Sequence, residues 1–96
     1  MASARTAHLT ERYRRSLSRV ALARGSAEAR ALGATIRALA GAETLPGAQD
    51  AEVPIPPVRR AYVRRVSGFN LWLYFTVSEG ALYLEALVRN PPVPSE

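Results

Sequence analysis

Residues 69–88, FNLWLYFTVSEGALYLEALV, decide the fold. In the first half of this stretch apolar side chains alternate with polar or aromatic ones, which is the period of a half-buried β-strand. Glu79-Gly80 fits a two-residue hairpin turn. Because that turn pairs Phe75 with Leu84, the apolar rows of both strands fall on one sheet face. The stretch predicts antiparallel strands at 69–78 and 81–89.

One face of this predicted hairpin must be covered by another layer of the fold, because its side chains are large and apolar. The alternation assigns six residues to that buried face: Leu71, Leu73, Phe75, Leu82, Leu84 and Val88.

A third strand is predicted at 58–66, where four arginines are crowded together. A two-residue turn at Ser67-Gly68 would place Arg60 and Arg64 on the buried face, where an unpaired charge is costly. A three-residue turn or a bulge shifts the alternation by one residue and turns Ala61 and Val63 to the core instead. The second version leaves Arg60, Tyr62 and Arg64 on the outer face, beside Trp72, Tyr74 and Tyr83.

The first half of the chain has the period of two helices, predicted at 10–24 and 26–41. Thr10 and Ser26 are the candidate N-caps, and Gly25 and Gly41 the candidate ends. So short a connection between helices predicts a hairpin. The segment 43–57 is rich in proline and predicts a long loop. The residue pattern thus predicts an α+β fold in which a two-helix hairpin packs on a three-stranded antiparallel meander.

Composition excludes several kinds of function. The 96 residues allow one small domain, and the absence of cysteine excludes disulfides, thiolate metal sites and a cysteine nucleophile. All 13 basic residues are arginine, with a net charge of +5, so a Walker-type phosphate loop and lysine chemistry are excluded. Arginine favours phosphate and carboxylate partners. With no apolar run of membrane-spanning length and no signal region at residues 1–9, we expect a cytoplasmic protein without metal or cofactor.

Three segments resemble one family. Residues 59–69 (RRAYVRRVSGF), 73–77 (LYFTV) and 82–89 (LYLEALVR) are similar to strands of the RelE/ParE superfamily of bacterial type II toxins. The resemblance covers about 9–92 and implies a domain at 9–93 with a tail at 94–96. It also implies an initial edge strand within 1–8, which would make the antiparallel sheet three- to four-stranded.

The resemblance implies a toxin held silent by a cognate antitoxin whose acidic and apolar tail wraps it in a hetero-oligomer. Some members of the family cleave mRNA on the ribosome, and others poison DNA gyrase. Cleavage requires groups that donate and accept protons, and arginine, with a pKa above 12, does this poorly. The family's cleaving members add lysine, histidine or a C-terminal tyrosine. This chain has no lysine, its last residues lack tyrosine, and its only histidine, His8, precedes the first helix.

We therefore expect a toxin that binds its target, as the gyrase-directed members do, and we assign no catalytic residue. A ribosome-dependent mRNA endonuclease remains an alternative, as does a non-toxic, basic domain that binds nucleic acid or protein. The candidate target- or partner-binding residues are Arg60, Tyr62, Arg64, Trp72, Tyr74, Tyr83 and Arg89. On the first helix, Arg12, Arg15 and Arg19 are candidates for contact with the antitoxin, with a solvated helix face as the alternative. We expect Glu85 to pair with a strand arginine.

Overall fold

The computed structural model describes residues 5–47, 50–55 and 58–89, leaving out the side chains of 54, 55 and 58–60. Along the chain the elements are β1 (Thr6–Leu9), α1 (Glu11–Val20), α2 (Ala27–Gly41), β2 (Ala51–Ile55), β3 (Val58–Arg65), β4 (Trp72–Ser78) and β5 (Ala81–Val88). The fold is α+β, with two helices and one sheet.

The sheet has five strands in the order β1-β5-β4-β3-β2. Consecutive strands from β2 to β5 pair antiparallel, whereas β1 pairs parallel with β5. The expectation of three to four antiparallel strands is wrong in number and in direction. β1 is the first element of the chain and β5 is the last, and the two pair at one edge of the sheet. After β1 the chain passes through both helices and enters the sheet again at the opposite edge, in β2.

The loop predicted at 43–57 contains β2, which no periodicity indicated. β2 pairs only with β3 and forms the sheet edge, with an irregularity between Val53 and Ile55 where Pro54 lies. Proline cannot donate to a strand partner and is tolerated at sheet edges and bulges. The prolines of this segment predicted a loop, although a strand at the edge of a sheet can contain them.

Both helices begin at the predicted caps. The Thr10 hydroxyl accepts a hydrogen bond from the Tyr13 amide, and the Ser26 hydroxyl accepts one from the Ala29 amide, each at 3.1 Å. α1 ends at Val20, earlier than Gly25, because Ala21 adopts a left-handed conformation with φ +54°. In the described ranges no helix is long and apolar enough to cross a membrane.

The helices cover one face of the sheet, and the core lies between these two layers. It combines helix residues with alternate residues of β4 and β5 and with two residues of the β3–β4 connection. The buried cluster is Tyr13, Val20, Leu32, Leu39, Val66, Leu71, Leu73, Phe75, Leu82, Leu84 and Leu87.

The hairpin of β4 and β5 has the predicted turn and register, since Ser78 pairs with Ala81 and Phe75 with Leu84. The register then shifts by one residue at Glu85, which forms a β-bulge. Beyond the bulge the alternation is reversed. Leu87 is 1% exposed in the core, and Val88, predicted to be buried, is half-buried instead.

The orientation predicted for β3 is wrong. Its connection to β4 is a four-residue loop closed by the Val66 amide, which donates to the Leu71 carbonyl at 2.8 Å. Tyr62 consequently pairs with Phe75, and Arg64 with Leu73, so both residues lie on the helix-covered face. Ala61 and Val63 are buried as expected but lie outside the core cluster, in the strand positions that alternate with Tyr62 and Arg64.

Candidate functional site

The sheet face opposite the helices carries a row of aromatic side chains. Strand pairing places His8 beside Tyr83 and Tyr83 beside Thr76, and it places Trp72 beside Arg65. Tyr74 lies on the same face between these two groups. We call this surface the outer face and define it by His8, Arg65, Trp72, Tyr74, Thr76 and Tyr83.

One ring contact holds the side chains at each end of the outer face. The imidazole of His8 stacks on the ring of Tyr83, with centroids 5.0 Å apart and an interplanar angle of 20°. The guanidinium carbon of Arg65 lies 5.7 Å from the ring centroid of Trp72, within the range of a cation–π contact. The side chains at both ends are therefore held against a strand neighbour.

Arg65 also fixes the loop that follows β3. Its Nε donates to the Phe69 carbonyl at 2.9 Å, and its Nη2 donates to Asn70 Oδ1 at 3.2 Å. The side chain therefore holds the exposed tip of the β3–β4 loop while its plane lies over Trp72. Two of its five N–H donors are therefore used within the chain, and both bonds go to the β3–β4 loop.

Among the described side chains, the partner of Glu85 is a threonine and not the expected strand arginine. Its Oε2 accepts a hydrogen bond from the Thr76 hydroxyl at 2.8 Å, and the residue is 9% exposed. Among the described side chains no salt bridge includes Glu85. The bulge places this carboxylate against the neighbouring strand, so its charge is largely removed from the surface.

Tyr74 is a neutral group at the centre of the outer face. Partial burial raises the pKa of its phenol above the ordinary value of 10.0. At neutral pH it is therefore a hydroxyl that donates or accepts hydrogen bonds, and it cannot act as a phenolate base.

The predicted sheet-face residues lie on two different faces of the sheet. Trp72, Tyr74 and Tyr83 lie together on the outer face. Tyr62 lies on the opposite face, where its ring is 5.8 Å from that of Phe75. The side chain of Arg60 lies outside the described residues.

Arg64, predicted on the outer face, is instead a half-buried structural residue on the helix-covered face. Its Nε donates to Asp50 Oδ1 at 2.6 Å and its Nη2 donates to Asp50 Oδ2 at 2.8 Å. The Gly47 amide donates to the same Asp50 Oδ2 at 2.6 Å. The side chains of Asp50 and Arg64 are 0% and 14% exposed. Because the Arg64 charge is paired with Asp50, β3 can place this arginine on the helix-covered face.

Arg89 likewise makes contacts on the helix side. Its Nη1 donates to Glu28 Oε2 at 2.9 Å, and its Nη2 donates to the Val20 carbonyl at 3.2 Å. It therefore joins the end of β5 to the last turn of α1 and the first turn of α2. Its side chain is still 46% exposed.

The helical half of the chain carries the whole net charge. Residues 1–43 contain eight arginines and three carboxylates, whereas residues 44–96 contain five of each. Of the three helix candidates, Arg15 pairs with Glu11 at 2.9 Å on the surface, Arg12 is half-buried, and Arg19 is exposed. The formal net charge therefore belongs to the part of the chain that contains β1 and the two helices, and residues 44–96 have no formal net charge.

Sequence reasoning missed His8 and Arg65 as members of the outer face. The parallel pairing of β1 with β5 brings His8 to Tyr83, although 75 residues separate them along the chain. Four residues are too few for a reliable strand pattern. Arg65 lies in a segment with the alternation of a strand. The opposite orientation predicted for β3 assigned it to the other face.

The outer face is suited to binding by ring contacts and hydrogen bonds. Tryptophan, tyrosine and arginine are the residues most enriched at the energetic centres of interfaces. The described residues include no group of three or more His, Asp or Glu side chains placed to hold a metal ion. Comparison of the chain with protein-family models, with curated proteins and with solved structures found no match.

Proposed function

We propose that the protein is the toxin of a bacterial type II toxin–antitoxin module of the RelE/ParE kind, acting in the cytoplasm. It stops growth by binding its target, in the manner of a toxin directed at DNA gyrase, and a cognate antitoxin keeps it silent. The element order supports this proposal. A short strand precedes two helices and an antiparallel set of strands, and the resemblance in the strand sequences implies such an initial strand.

The observation that carries the choice of binding over cleavage is the engagement of the sheet arginines. Arg64 is bound by Asp50, Arg89 by Glu28, and Arg65 by its own loop. Stabilising a phosphate in a transition state requires cations already aimed at the developing charge. These three guanidinium groups are aimed at partners within the chain.

The distribution of charge supports an acidic partner on the helices. The net charge of +5 belongs to residues 1–43, and arginine binds carboxylates in bidentate geometry. The antitoxin then occupies the helical layer in a hetero-oligomer, while the outer face with Trp72, Tyr74 and Tyr83 is the surface that contacts the target.

One observation favours a second candidate, the ribosome-dependent mRNA endonuclease. The single histidine lies on the outer face, stacked on Tyr83, and imidazole is the side chain most often used in general acid–base catalysis. In this reading the imidazole of His8 takes the proton of the 2′-hydroxyl as its oxygen attacks the phosphorus, and a proton is returned to the 5′-oxygen whose bond to phosphorus breaks. A cation from the ribosome, or a counterion of the mRNA, offsets the charge of the phosphate.

Induction of the chain alone in a bacterial host tests the proposal. We expect growth to stop and DNA breaks trapped with gyrase to accumulate, with transcripts left intact. Ribosome-phased cuts in mRNA, abolished by His8→Ala but not by the control Arg30→Gln, would transfer the assignment to the endonuclease. Unaffected growth with stable, folded protein would leave the non-toxic binding domain and would overturn the toxin proposal.

A further inference from the structure

One carboxylate at the outer face is buried without a cation beside it. Glu85 is 9% exposed, and among the described side chains no salt bridge includes it. Asp50, whose side chain is fully buried, is paired with Arg64. The other carboxylates without an ion pair in the described ranges are exposed to water: Glu43, Glu52 and Glu79. Glu85 thus combines burial with an uncompensated charge.

One oxygen of this carboxylate is open to a further partner. Oε2 of Glu85 accepts a hydrogen bond from the Thr76 hydroxyl at 2.8 Å, whereas Oε1 has no hydrogen-bond partner among the described residues. Within those same residues every fully buried side-chain oxygen and nitrogen has a partner. Oε1 is therefore not fully buried, and it presents an acceptor to a group that approaches the outer face.

Aromatic rings lie beside this acceptor. Tyr83 precedes Glu85 by two positions on β5, and Tyr74 precedes Thr76 by two positions on β4. Since residues two apart in a strand lie on the same face, and Glu85 bonds across to Thr76, both tyrosines are on the side of the sheet where the carboxylate lies. His8 stacks on one side of the Tyr83 ring, and no other ring contact among the described residues includes Tyr83. Its other side is left for a ligand.

We infer that Glu85 and Tyr83 form a binding site for a guanidinium group, supplied by an arginine side chain of a partner protein. The guanidinium donates to Oε1 of Glu85 and lies over the side of the Tyr83 ring that His8 leaves uncovered. The inference rests on the proposed function only in taking the target as this partner, because the outer face is the surface proposed to contact it.

The surroundings of Glu85 favour a cation of this shape. Opposite charges attract more strongly where water is largely excluded, so a cation gains more from Glu85 than from an exposed carboxylate such as Glu79. Guanidinium is planar and more weakly hydrated than an ammonium group. It can therefore lie flat over a tyrosine ring while its N–H groups reach an oxygen at the edge of that ring.

The chain binds one of its own guanidinium groups in this way at the other end of the outer face. The guanidinium carbon of Arg65 lies 5.7 Å from the ring centroid of Trp72, while its nitrogens donate to oxygens of Phe69 and Asn70. A ring beneath the cation and oxygen acceptors at its edge hold it there. Tyr83 supplies a ring and Glu85 an oxygen, and no guanidinium of the described residues occupies that position.

The same carboxylate disfavours a nucleic acid at this point. A phosphate that approached Oε1 of Glu85 would meet a like charge in a position with little water to screen it. The arginine-rich composition by itself favours an anionic ligand. This end of the outer face instead selects a basic side chain of a protein.

Titration of the full chain with the peptide acetyl-Gly-Arg-Gly-amide, followed by NMR of backbone amides, tests the inference. We expect shifts at residues 74–76 and 83–86. The matched peptide carries citrulline, which has the shape of arginine without its charge. At equal concentration it should shift these residues about tenfold less, because a hydrogen bond between charged groups is stronger than one with a neutral donor.

Variants of the chain locate the two contacts. Glu85→Gln removes the charge but keeps an oxygen for the Thr76 hydroxyl, and it should weaken binding about tenfold. Tyr83→Phe keeps the ring and should change affinity less than about twofold, whereas Tyr83→Ser should weaken it about threefold. The control Glu79→Gln removes the same charge from the exposed turn of this hairpin and should change affinity less than about twofold. Thermal melting checks that each variant is folded.

Any of four results overturns the inference. The citrulline peptide shifts the chain as strongly, or the shifts fall outside 74–76 and 83–86, or Glu79→Gln weakens binding as much as Glu85→Gln, or a single-stranded oligonucleotide shifts these residues more than the arginine peptide does. Because the citrulline comparison uses the parent chain, it decides the matter even if Glu85→Gln does not fold.

The assay does not need toxicity, so its result is distinct from that of the induction experiment. A chain that binds the arginine peptide here yet leaves growth unaffected disproves the toxin proposal and keeps the guanidinium site. Growth arrest by a chain that does not bind the peptide disproves the site and keeps the toxin proposal.

Discussion

Arg64 donates two hydrogen bonds to the fully buried carboxylate of Asp50, which lies 14 positions earlier in the chain. This bidentate pair allows β3 to turn an arginine towards the helices, and it ties the segment before β2 to the sheet. The Gly47 amide donates a third hydrogen bond to the Asp50 carboxylate. The pair decides which face of β3 is buried, and thereby which residues reach the outer face.

Breaking this pair should be costly, because it leaves a charge with little access to water. We expect Asp50→Leu to lower the free energy of unfolding by about 3 kcal/mol. Adding Arg64→Met to that variant should restore part of the loss, since no uncompensated charge then remains. Urea denaturation measures both effects.

Glu52→Ala is the matched control, because this exposed carboxylate lies only two residues further along the chain, in β2, and its loss should change stability by less than about 0.5 kcal/mol. An Asp50→Leu variant as stable as the control would show that the pair does not hold β3.

The bulge at Glu85 predicts unequal effects of two adjacent truncations. Leu87→Ala should cost about 3 kcal/mol, because it opens a cavity in the core, and Val88→Ala should cost less than about 1 kcal/mol. Uninterrupted strand alternation predicts the reverse order. Chemical denaturation of the two variants separates these possibilities.

The buried Tyr13 predicts a loss of stability at high pH. Burial raises the pKa of its phenol above 10.0, so the folded chain holds this proton more tightly than the unfolded chain. The stabilisation is fully present below pH 10 and is lost as the pH rises from the unfolded pKa towards the folded one.

Tyr13→Phe has no phenolic proton, so its free energy of unfolding should fall less steeply between about pH 9 and about pH 11 than that of the parent. Urea midpoints across this range give the comparison. Parallel curves for parent and variant would contradict a raised pKa at Tyr13.

Local patterns in the sequence were sufficient for the parts of the fold that depend on near neighbours. The caps at Thr10 and Ser26 and the turn between β4 and β5 each follow from residues within a few positions. The bulge at Glu85 does not follow from near neighbours. The apolar pattern of β5 fits a strand with the extra residue and a strand without it equally well.

Other features depend on contacts between distant residues. The orientation of β3 required knowing that Asp50 pairs with Arg64, and the membership of His8 in the outer face required the parallel pairing of β1 with β5. Of the predicted sheet-face site, the aromatic residues of β4 and β5 came together as expected. Tyr62 and Arg64 did not, because the orientation of β3 depends on the distant Asp50. Arg89 did not, because it bonds to Glu28 and to the Val20 carbonyl on the helix side.

The proposed growth arrest depends on the aromatic residues of the outer face. The most direct measurement compares growth after induction of the parent chain with growth after induction of Trp72→Ser, Trp72→Phe and the control Arg30→Gln, at equal amounts of folded protein. We expect arrest by the parent, by Trp72→Phe, which keeps a ring, and by the control, with arrest lost in Trp72→Ser. Equal arrest by all four chains would contradict the outer face as the target-binding surface, and growth unaffected by the parent would contradict the toxin itself.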